Sequence, residues 1–249
     1  MTTKQTSLFE TAKEIVIETP IRHVAVIMDG NRRWAKKHNF IKTVGHDNGR
    51  KTFKNIVKHS AKLKLHCLTT YAFSTENWGR DPDEVKFLMG LLVESLKNEI
   101  KELCENNIRL RFIGRRDRLN KDVVKKMENA ENSTAENTGL ILQIAIDYGS
   151  RYEITYALRQ ITQKVQNGEL SINDIDENLI GSCLYTSTVP DPDLIIRTGG
   201  EYRLSNYLLW QAAYSELYIT DTFWPDFLEN EFDMAIIDFS KRHRRWGKD

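Results

Sequence analysis

The residues with the clearest chemical potential follow an apolar run at residues 24–28. This run leads directly into a polar turn that consists of Asp29, Gly30, Asn31, Arg32, Arg33 and Trp34. Guanidinium groups match the geometry of phosphate oxygens, and aspartate is a hard oxygen ligand suited to Mg²⁺. Gly30 and Asn31 allow a tight turn whose backbone N–H groups are able to hold an anion. The segment therefore predicts metal-assisted diphosphate chemistry, with an ordinary solvated turn as the alternative.

Two further polar clusters carry residue types that suit the same chemistry. The first, within residues 69–80, offers Ser74, Glu76, Asn77, Trp78 and Arg80. The second, within residues 193–218, offers Arg197, the Gly199-Gly200 pair, Arg203, Ser205 and Glu216. Its arginines are expected to clamp a diphosphate, its glycines to present backbone donors, and Glu216 to supply a second carboxylate near the metal. Plain turn formation is the alternative for the first of these clusters.

His46 is a further candidate, in the sequence VGHDNGRK at residues 44–51. A histidine is able to carry a proton at neutral pH, which suits a role in catalysis. The alternative is a structural hydrogen bond at the start of a helix. The sequence alone leaves both roles open.

Six apolar runs are expected to form the strands that position these clusters. They lie at residues 23–29, 66–73, 108–114, 140–147, 193–198 and 216–220. Helical patterns separate most of them, which predicts an α/β fold with a mainly parallel central sheet flanked by helices. Because ligands bind outside the carboxyl ends of parallel strands, the polar clusters are expected to converge at that edge.

The clearest helix is predicted from Asp83 to Asn106. Pro82 stands near its start, and apolar residues recur every three or four positions, at Phe87, Leu88, Leu91, Leu92, Leu96, Ile100 and Leu103. This stripe either packs on the sheet or lines an apolar ligand cavity. No internal repeat or Pro/Gly/Ser-rich linker appears, so we predict an N-terminal arm at residues 1–20 and one domain at residues 21–249.

The composition argues against several classes of protein. Lys and Arg number 36 and Asp and Glu 35, so a net charge of +1 disfavours a globally basic, nucleic-acid-binding protein. The 3 cysteines form no C-x-x-C pair, which fits reduced thiols in the cytoplasm. No apolar run approaches the roughly 18 residues of a membrane span, and we expect no secretory signal. A soluble cytoplasmic protein is expected, with weak peripheral membrane contact left open.

Taken together, the motifs resemble those of the cis-prenyltransferases. The similarity covers nearly all of residues 20–247, in the order MDGNRRWA, GH, FSTENW with Arg80, NTGL with DYG, RTGGEYRLSN, the WQ…SE run and a basic end. The resemblance implies a homodimer with an elongated apolar tunnel in each chain. It also implies Mg²⁺-dependent extension of an allylic diphosphate, such as farnesyl diphosphate, by isopentenyl diphosphate. The expected product is a long Z-polyprenyl diphosphate such as undecaprenyl diphosphate, the lipid carrier precursor for cell-wall polysaccharide.

The same resemblance implies a role for each candidate residue. Asp29 would hold Mg²⁺ with help from Glu216. The allylic diphosphate would be held by Gly30, Asn31, Arg32, Arg33 and Arg80, and isopentenyl diphosphate by Arg197, Arg203 and Ser205. The reacting centre would be completed by His46, Ser74, Asn77 and Trp78, with Trp34 and Lys42 as further substrate-binding candidates. Arg245 and Gly247 match an R-x-G motif with which one subunit reaches the isopentenyl diphosphate site of the other.

Two departures from the family pattern and three rival functions accompany this interpretation. Arg32 stands where many members have glycine, and Lys42 stands where many have arginine, which weakens any bidentate phosphate contact there. The chain lacks a DDxxD motif, which disfavours the unrelated trans-prenyltransferase mechanism. A shorter-chain synthase and a non-catalytic subunit of a heteromeric prenyltransferase are alternatives. A nucleotide hydrolase is disfavoured because no G-x-x-x-x-G-K-[ST] phosphate loop is present.

Overall fold

A six-stranded, all-parallel sheet forms the centre of the chain in a computed structural model that describes residues 2–243, with side chains from Leu8 onward. The strands are β1 His23–Ile27, β2 Cys67–Ser74, β3 Arg109–Ile113, β4 Ile141–Tyr148, β5 Leu194–Arg197 and β6 Glu216–Ile219. Their order across the sheet is β3-β4-β2-β1-β5-β6. The six strands predicted from apolar runs and the α/β class are confirmed.

Helices flank this sheet. They are α1 Thr2–Glu18, α2 Asn31–Lys37, α3 Lys42–Lys62, α4 Pro82–Asn98, α5 Ile100–Glu105, α6 Lys121–Ser133, α7 Ser150–Gln166, α8 Glu177–Ser182 and α9 Glu229–Ser240. Short 3₁₀ helices lie at Thr75–Gly79, Ile172–Asp174, Gln211–Tyr214 and Trp224–Asp226. Within residues 2–243, none of the helices combines the length and apolar character that crossing a bilayer requires.

Strand β1 is buried on both of its faces. Val24 and Val26 point into the larger core, and Ala25 and Ile27 point into a smaller core on the opposite face. Successive side chains of a strand alternate between faces, so a strand covered on both sides needs a continuous apolar run. This requirement explains why β1 is uniformly apolar until the chain leaves the sheet at Asp29.

The strand order reverses direction beside β1. The chain passes from β1 to β2 on one side and returns, after β4, to β5 on the other side. In register, Ile27 of β1 pairs with Tyr71 of β2 and with Arg197 of β5. Such a switch point in a parallel sheet leaves a crevice at the carboxyl ends of its strands. The turn after β1 is thereby placed next to the end of β5.

Helix α1 is docked on the rest of the protein. It packs against α9 and buries Ala12 and Val16 in the larger core. The Phe9 ring lies 5.4 Å from the His59 ring on α3. A loosely attached arm is expected for this segment, but the apolar face of α1 is covered through these contacts.

The helix predicted from Asp83 to Asn106 is interrupted at Glu99. The Glu99 backbone, at φ −108° and ψ −11°, separates α4 from α5. Backbone hydrogen bonds continue across it, because its N–H donates to Ser95 O and its carbonyl accepts from Leu103 N–H. The Glu99 carboxylate bonds to Arg50 on α3. The prediction of one continuous helix is therefore wrong. The segment forms a kinked pair of helices, α4 and α5, that Glu99 links to α3.

Candidate active site

A cleft of about 1030 Å³ opens at the carboxyl ends of β1, β2 and β5. Thirteen residues predicted from the sequence line it, namely Asp29, Gly30, Asn31, Arg32, Arg33, Lys42, His46, Ser74, Asn77, Arg80, Arg197, Arg203 and Ser205. They come from three separate parts of the chain. The expected convergence of the polar clusters at one sheet edge is therefore confirmed by the geometry.

The turn that begins the cleft needs its glycines. Gly30 has φ 109°, and a Cβ atom there would lie 2.7 Å from the Phe223 side chain. Helix α3 then approaches α2 so closely that a Cβ at Gly45 would lie 2.2 Å from Asn31 O, and one at Gly49 would lie 2.3 Å from Asn31 Oδ1. These close contacts fix the position of Asn31. The MDGN and GH motifs, distant in sequence, thus form one packed unit.

Asp29 lies among arginines from two elements. Its Oδ2 accepts a hydrogen bond from Arg197 Nη2 at 2.9 Å and lies 3.2 Å from Arg33 Nη2. The buried Arg197 guanidinium also donates to Ser205 Oγ at 2.8 Å and to the Arg203 carbonyl. These residues, with Glu201, are named the Asp29 half of the cleft. The Asp29 carboxylate balances the charge of these arginines and faces the ligand space of the cleft directly.

Arg33 joins this half of the cleft. Its Nη1 donates to Gly199 O at 2.7 Å and to Glu201 Oε1 at 3.1 Å. A Cβ atom at Gly199 would lie 2.6 Å from Arg33 Nη2, so glycine leaves room for the guanidinium. The backbone donors of the glycine pair are already used, because Gly199 N–H donates to Thr222 O and Gly200 N–H to Thr220 O. The expectation that this pair offers free donors to an anion is wrong.

Three cations and a histidine surround Glu84 in the first turn of α4. Arg80 Nη1 lies 3.0 Å and His46 Nε2 3.4 Å from Glu84 Oε1. Lys42 Nζ and Arg32 Nε lie 3.8 and 3.9 Å from Glu84 Oε2. These five residues are named the Glu84 half of the cleft. Their carboxylate is buried behind the cations and does not line the cleft.

The His46 ring is buried within this half. Burial lowers the pKa of His46 below its usual value; the nearby Glu84 charge opposes this effect, and Arg80 reinforces it. A lowered pKa keeps the imidazole neutral at pH 7. A neutral His46 carries one N–H donor and one acceptor at that pH, and its buried Nε2 lies 3.4 Å from Glu84 Oε1.

Ser74 and Asn77 shape the turn after β2. The Ser74 N–H donates to Asn77 Oδ1 at 3.0 Å, and the Ser74 side chain accepts from the Asn77 backbone, which makes a reciprocal cap for the 3₁₀ helix Thr75–Gly79. Such a pair satisfies backbone donors that the helix start leaves free. Both residues line the cleft, and their cap fixes the backbone just before Arg80.

The two predicted tryptophans support the turns from outside the cleft. Trp34 Nε1 donates to Asp226 Oδ1 at 2.7 Å, and its ring stacks at 5.9 Å on Phe40. Trp78 Nε1 donates to the buried Asp147 Oδ1 at 2.9 Å, and its ring packs edge-on against Phe73. Neither tryptophan is among the residues that line the cleft. Both indole N–H groups bond to carboxylates of the protein and hold the two turns in place, while the substrate-binding role expected for these residues stays a prediction.

Glu216 lies away from Asp29 within the chain. It begins β6 and pairs in register with Leu194, whereas Ile219 pairs with Arg197 at the cleft edge. Three residues along a strand correspond to about 10 Å. The Glu216 carboxylate instead accepts from Arg242 Nη1 at 3.0 Å. The structure therefore does not bring together the two predicted metal ligands in one chain, and Arg245 and Gly247 lie outside the described residues.

Several cleft residues are missed by the sequence interpretation, notably Lys36, Phe40, Tyr71 and Asn206. The Tyr71 ring stacks at 4.4 Å on Tyr207, and its hydroxyl donates to Tyr148 O and Ser205 O. Burial raises the pKa of Tyr71, so it stays protonated. Glu84 is also missed, although its spacing of four residues from Arg80 on a helix start was a usable signal.

The donor set of the cleft fits magnesium held jointly with a ligand. Within residues 2–243 no group of three or more His, Cys, Asp or Glu side chains is close enough to hold a metal ion. Mg²⁺ is commonly bound through one or two carboxylates together with substrate phosphates and waters. Asp29, which faces the cleft between arginines, meets that requirement. A metal held by protein side chains alone does not fit these residues.

The sheet and its cleft define an α/β enzyme that binds phosphorylated substrates at a strand switch point, with arginines from two sides. A family profile described as "Putative undecaprenyl diphosphate synthase" matches residues 27–247. The chain belongs to this family of prenyltransferases.

Individual relatives agree with this membership. The isoprenyl transferase of Neisseria gonorrhoeae is 49% identical over 227 residues, which cover 91% of this chain and 89% of the relative. The structure of lavandulyl diphosphate synthase from Lavandula x intermedia, in complex with dimethylallyl diphosphate, superposes with a TM-score of 0.90 at 36% identity, over 94% of this chain and 100% of that chain. A probable undecaprenyl diphosphate synthase from Campylobacter jejuni superposes with a TM-score of 0.77 at 34% identity, over 92% and 100%.

Proposed function

We propose that this prenyltransferase condenses isopentenyl diphosphate with an allylic diphosphate, with farnesyl diphosphate as the expected primer. One observation carries the proposal: arginines of two separate groups face a single cleft, with Asp29 at the strand switch point between them. Two diphosphates that must react with each other need two cationic sites in one cavity. The dimethylallyl diphosphate bound by the lavender relative is an allylic diphosphate, which supports the assignment.

The reaction assigns different tasks to the two halves. The alkene of isopentenyl diphosphate attacks C1 of the allylic substrate, the allylic C–O bond breaks, inorganic pyrophosphate leaves, and a proton is lost from the isopentenyl unit. In the Glu84 half, Arg32, Lys42 and Arg80 stabilise the negative charge that develops on the leaving group. In the Asp29 half, Arg197, Arg203 and Ser205 orient the isopentenyl diphosphate, which lowers the entropic cost of the encounter. Gly30, Asn31 and Arg33 also line the cleft, and Arg33 belongs to the Asp29 half.

Magnesium is proposed as the cofactor, held by Asp29 and diphosphate oxygens. When bound, Mg²⁺ supplies charge stabilisation at the phosphate oxygens. If the charge of the Asp29 carboxylate is taken up by Mg²⁺, the arginines that pair with Asp29 become free to bind phosphate oxygens. Glu216 lies too far from Asp29 in the same chain, so we assign any role it has at the metal to a neighbouring subunit.

A homodimer is proposed for the same reason. Glu216 binds Arg242, the residue from which the chain continues toward Arg245 and Gly247. Glu216 and the C-terminal residues, which are both expected to serve a partner subunit, therefore lie at one place beside the edge strand β6.

We assign the catalytic domain to residues 21–249 and the reaction to the cytoplasm, at the inner face of the plasma membrane, where a long product can pass into lipid. Nucleic acid is not an expected partner.

The proposed product is undecaprenyl diphosphate, precursor of the lipid carrier for peptidoglycan and other cell-wall polysaccharides; a shorter Z-prenyl diphosphate is the alternative. Burial of each added CH₂ is worth about 0.8 kcal/mol, so an apolar tunnel would retain the growing chain. Leu88 of α4 lines the cleft, and Leu92 further along α4 packs on the larger core. These positions support a tunnel that runs from the cleft beneath α4.

Leu140 is the proposed floor of that tunnel. It is buried in the larger core and precedes Ile141, which pairs with Cys67 at the amino end of β2, so it lies at the edge opposite the cleft. Ile146 pairs with Phe73 close to the cleft and fits the floor less well. We expect Leu140→Ala to lengthen the products by at least one five-carbon unit, as resolved by thin-layer chromatography. Leu184→Ala, a buried leucine outside this core, is the control, and unchanged or shorter products from Leu140→Ala would refute the assignment.

The function itself is tested by incubation of purified chain with radiolabelled isopentenyl diphosphate, farnesyl diphosphate and Mg²⁺. Label is expected in long, organic-extractable Z-prenyl diphosphates. A non-catalytic subunit would incorporate label only after addition of a second protein. A nucleotide hydrolase would release phosphate from nucleotides and incorporate no label. Either outcome would contradict the proposal.

A further inference from the structure

Glu84 gathers three cations and a neutral histidine from three parts of the chain, namely α2, α3 and the turn before α4. Arg80 and His46 lie 3.0 and 3.4 Å from its Oε1, and Lys42 and Arg32 lie 3.8 and 3.9 Å from its Oε2. All four of these neighbours line the cleft, and the Glu84 carboxylate lies behind them. An unpaired buried carboxylate would be costly, and these cations compensate the charge of Glu84.

The four neighbours are not held equally. The Arg32 and Lys42 side chains are 51% and 53% exposed, and their distances from Glu84 exceed those of hydrogen bonds. Arg80 makes a hydrogen bond with Glu84, and His46 is buried beside it. Arg32 and Lys42 are therefore free to turn toward another anion in the cleft, whereas Arg80 and His46 stay in place.

We propose that Glu84 is an internal counter-ion that competes with a bound diphosphate for Arg32 and Lys42. The inference rests on the proposed function, because it requires a diphosphate in this half of the cleft. The Glu84 side chain is only 6% exposed and does not touch the ligand space, so it acts through the cations as a positioning residue. In the free protein it draws Arg32 and Lys42 toward α4. A diphosphate, which carries more negative charge, draws them away.

This competition limits the affinity of the cleft for diphosphates. Inorganic pyrophosphate must leave after every condensation, and repeated condensation makes its release part of every cycle. Tight binding that is equal for substrate, transition state and product adds nothing to turnover. A buried negative charge behind the cations weakens the binding of all diphosphates while it keeps Arg80 and His46 oriented. Glu84 therefore favours turnover over affinity.

The test compares Glu84→Gln with Glu94→Gln, an exposed glutamate on the same helix. Calorimetry without Mg²⁺ measures the binding of inorganic pyrophosphate. We expect Glu84→Gln to bind it about tenfold more tightly at low salt, and the difference to shrink at high salt. Steady-state assays should show a lower KM for the allylic diphosphate together with a lower kcat. Glu94→Gln should match the wild-type chain in each measurement.

A merely structural Glu84 predicts the opposite signs. In that case Glu84→Gln would lower the melting temperature, weaken pyrophosphate binding and raise KM for both substrates. Unchanged or weaker pyrophosphate binding by folded Glu84→Gln therefore overturns the proposal. If Glu84→Gln does not fold, Glu84→Asp decides, because its shorter side chain keeps the buried charge but moves it away from Arg32 and Lys42. We expect tighter binding by a smaller factor, and equal or weaker binding overturns the proposal.

The proposed function and the counter-ion role of Glu84 are contradicted by different results. A wild-type chain that incorporates no isopentenyl diphosphate contradicts the proposed function. A wild-type chain that incorporates it and binds pyrophosphate, beside a Glu84→Gln chain that binds no more tightly, contradicts the counter-ion role alone.

Discussion

Arg197 and Arg80 both reach the cleft from the carboxyl edge of the sheet, yet the carboxylates that hold them occupy opposite positions. Asp29 lies in front of Arg197 and faces the ligand space, whereas Glu84 lies behind Arg80 and is buried. A carboxylate in front is able to bind a metal ion together with a ligand. A carboxylate behind can only orient cations and set their net charge. Similar ion pairs thus suit different tasks.

Removal of the front carboxylate should have the largest effect. We expect Asp29→Ala to lower turnover about a thousandfold or more, because the site loses the group that organises Mg²⁺. The fold should persist, since Arg197 keeps its bonds to Ser205 and the Arg203 carbonyl. Steady-state turnover at saturating Mg²⁺ and thermal unfolding are the measurements. Asp122→Ala, at an exposed position on α6, is the control. Near wild-type turnover by Asp29→Ala would contradict the role of Asp29 in metal binding.

Replacement of Arg197 or of Arg80 by lysine, in two single variants, should affect a different substrate for each half of the cleft. Arg197 uses its planar fork for three acceptors, which a lysine ammonium cannot match. We expect Arg197→Lys to lose about a hundredfold in kcat/KM, with a raised KM for isopentenyl diphosphate. Arg80→Lys should instead raise the KM for the allylic diphosphate. Arg159→Lys, at an exposed position on α7, is the control, and a rise in KM for the same substrate in both variants would contradict the division into halves.

The sequence predicts the strands well because each one is an apolar run that is buried in the sheet. Polar residues directly after those runs line the cleft, since the carboxyl ends of parallel strands share an edge. The break at Glu99 escapes prediction because apolar periodicity continues through it, and the Glu99 carboxylate bonds to Arg50 on a helix far away in sequence. Local patterns report what a segment buries, and they do not report which distant side chain it meets.

The same limit explains the errors in the site. Glu216 stands at the beginning of its apolar run, whereas the other site residues follow the end of theirs. It therefore lies at the amino end of β6, away from the cleft. Glu84 is overlooked because Arg32 and Lys42 approach it from elements far apart in sequence. Trp34 is a substrate-binding candidate in the sequence, but its indole N–H donates to Asp226, which lies 192 residues later. Residues that act behind the cleft depend on tertiary contacts and need the structure.

The C-terminal tail tests whether the Asp29 half is completed by a second chain. Deletion of residues 245–249 should raise the KM for isopentenyl diphosphate about tenfold and lower kcat, because an arginine and a close backbone donor are lost. The Glu84 half should be unaffected, so the KM for the allylic diphosphate should not change. Sedimentation should still show a dimer. Unchanged kinetics would remove the tail from the site.

Mixed dimers decide the direction in which the tail reaches. If it crosses the interface, a tail-deleted chain with intact Asp29 receives a tail from an Asp29→Ala partner, and the mixed dimer is active. If each tail serves its own chain, neither site is complete. Activity no greater than that of the two parent mutants would exclude the cross-subunit role.

The smallest expected effect concerns pH, since the Glu84 half contains a buried histidine and the Asp29 half contains none among its named residues. Burial lowers the pKa of His46, opposed by Glu84 on α4 and reinforced by Arg80 and by Arg32 on α2. In the unfolded chain His46 takes up a proton near its usual pKa of about 6.5. Its contribution to stability is therefore fully present above that pH and is lost as the pH falls below it, by at most about 1.4 kcal/mol per pH unit.

Replacement of His46 by glutamine keeps a neutral polar group and removes this titration. The free energy of unfolding, measured with denaturant at pH 7.5 and 5.5, should fall less in His46→Gln than in the wild-type chain. His23, whose pKa burial lowers to about 4, and His66, whose pKa burial also lowers, remain in both proteins and contribute to the loss that persists. His38→Gln, in the exposed turn after α2, is the control. An equal loss in His46→Gln and wild type would mean that His46 binds a proton as readily in the folded as in the unfolded chain, and the Glu84 half would then carry one more positive charge at pH 5.5 than we infer.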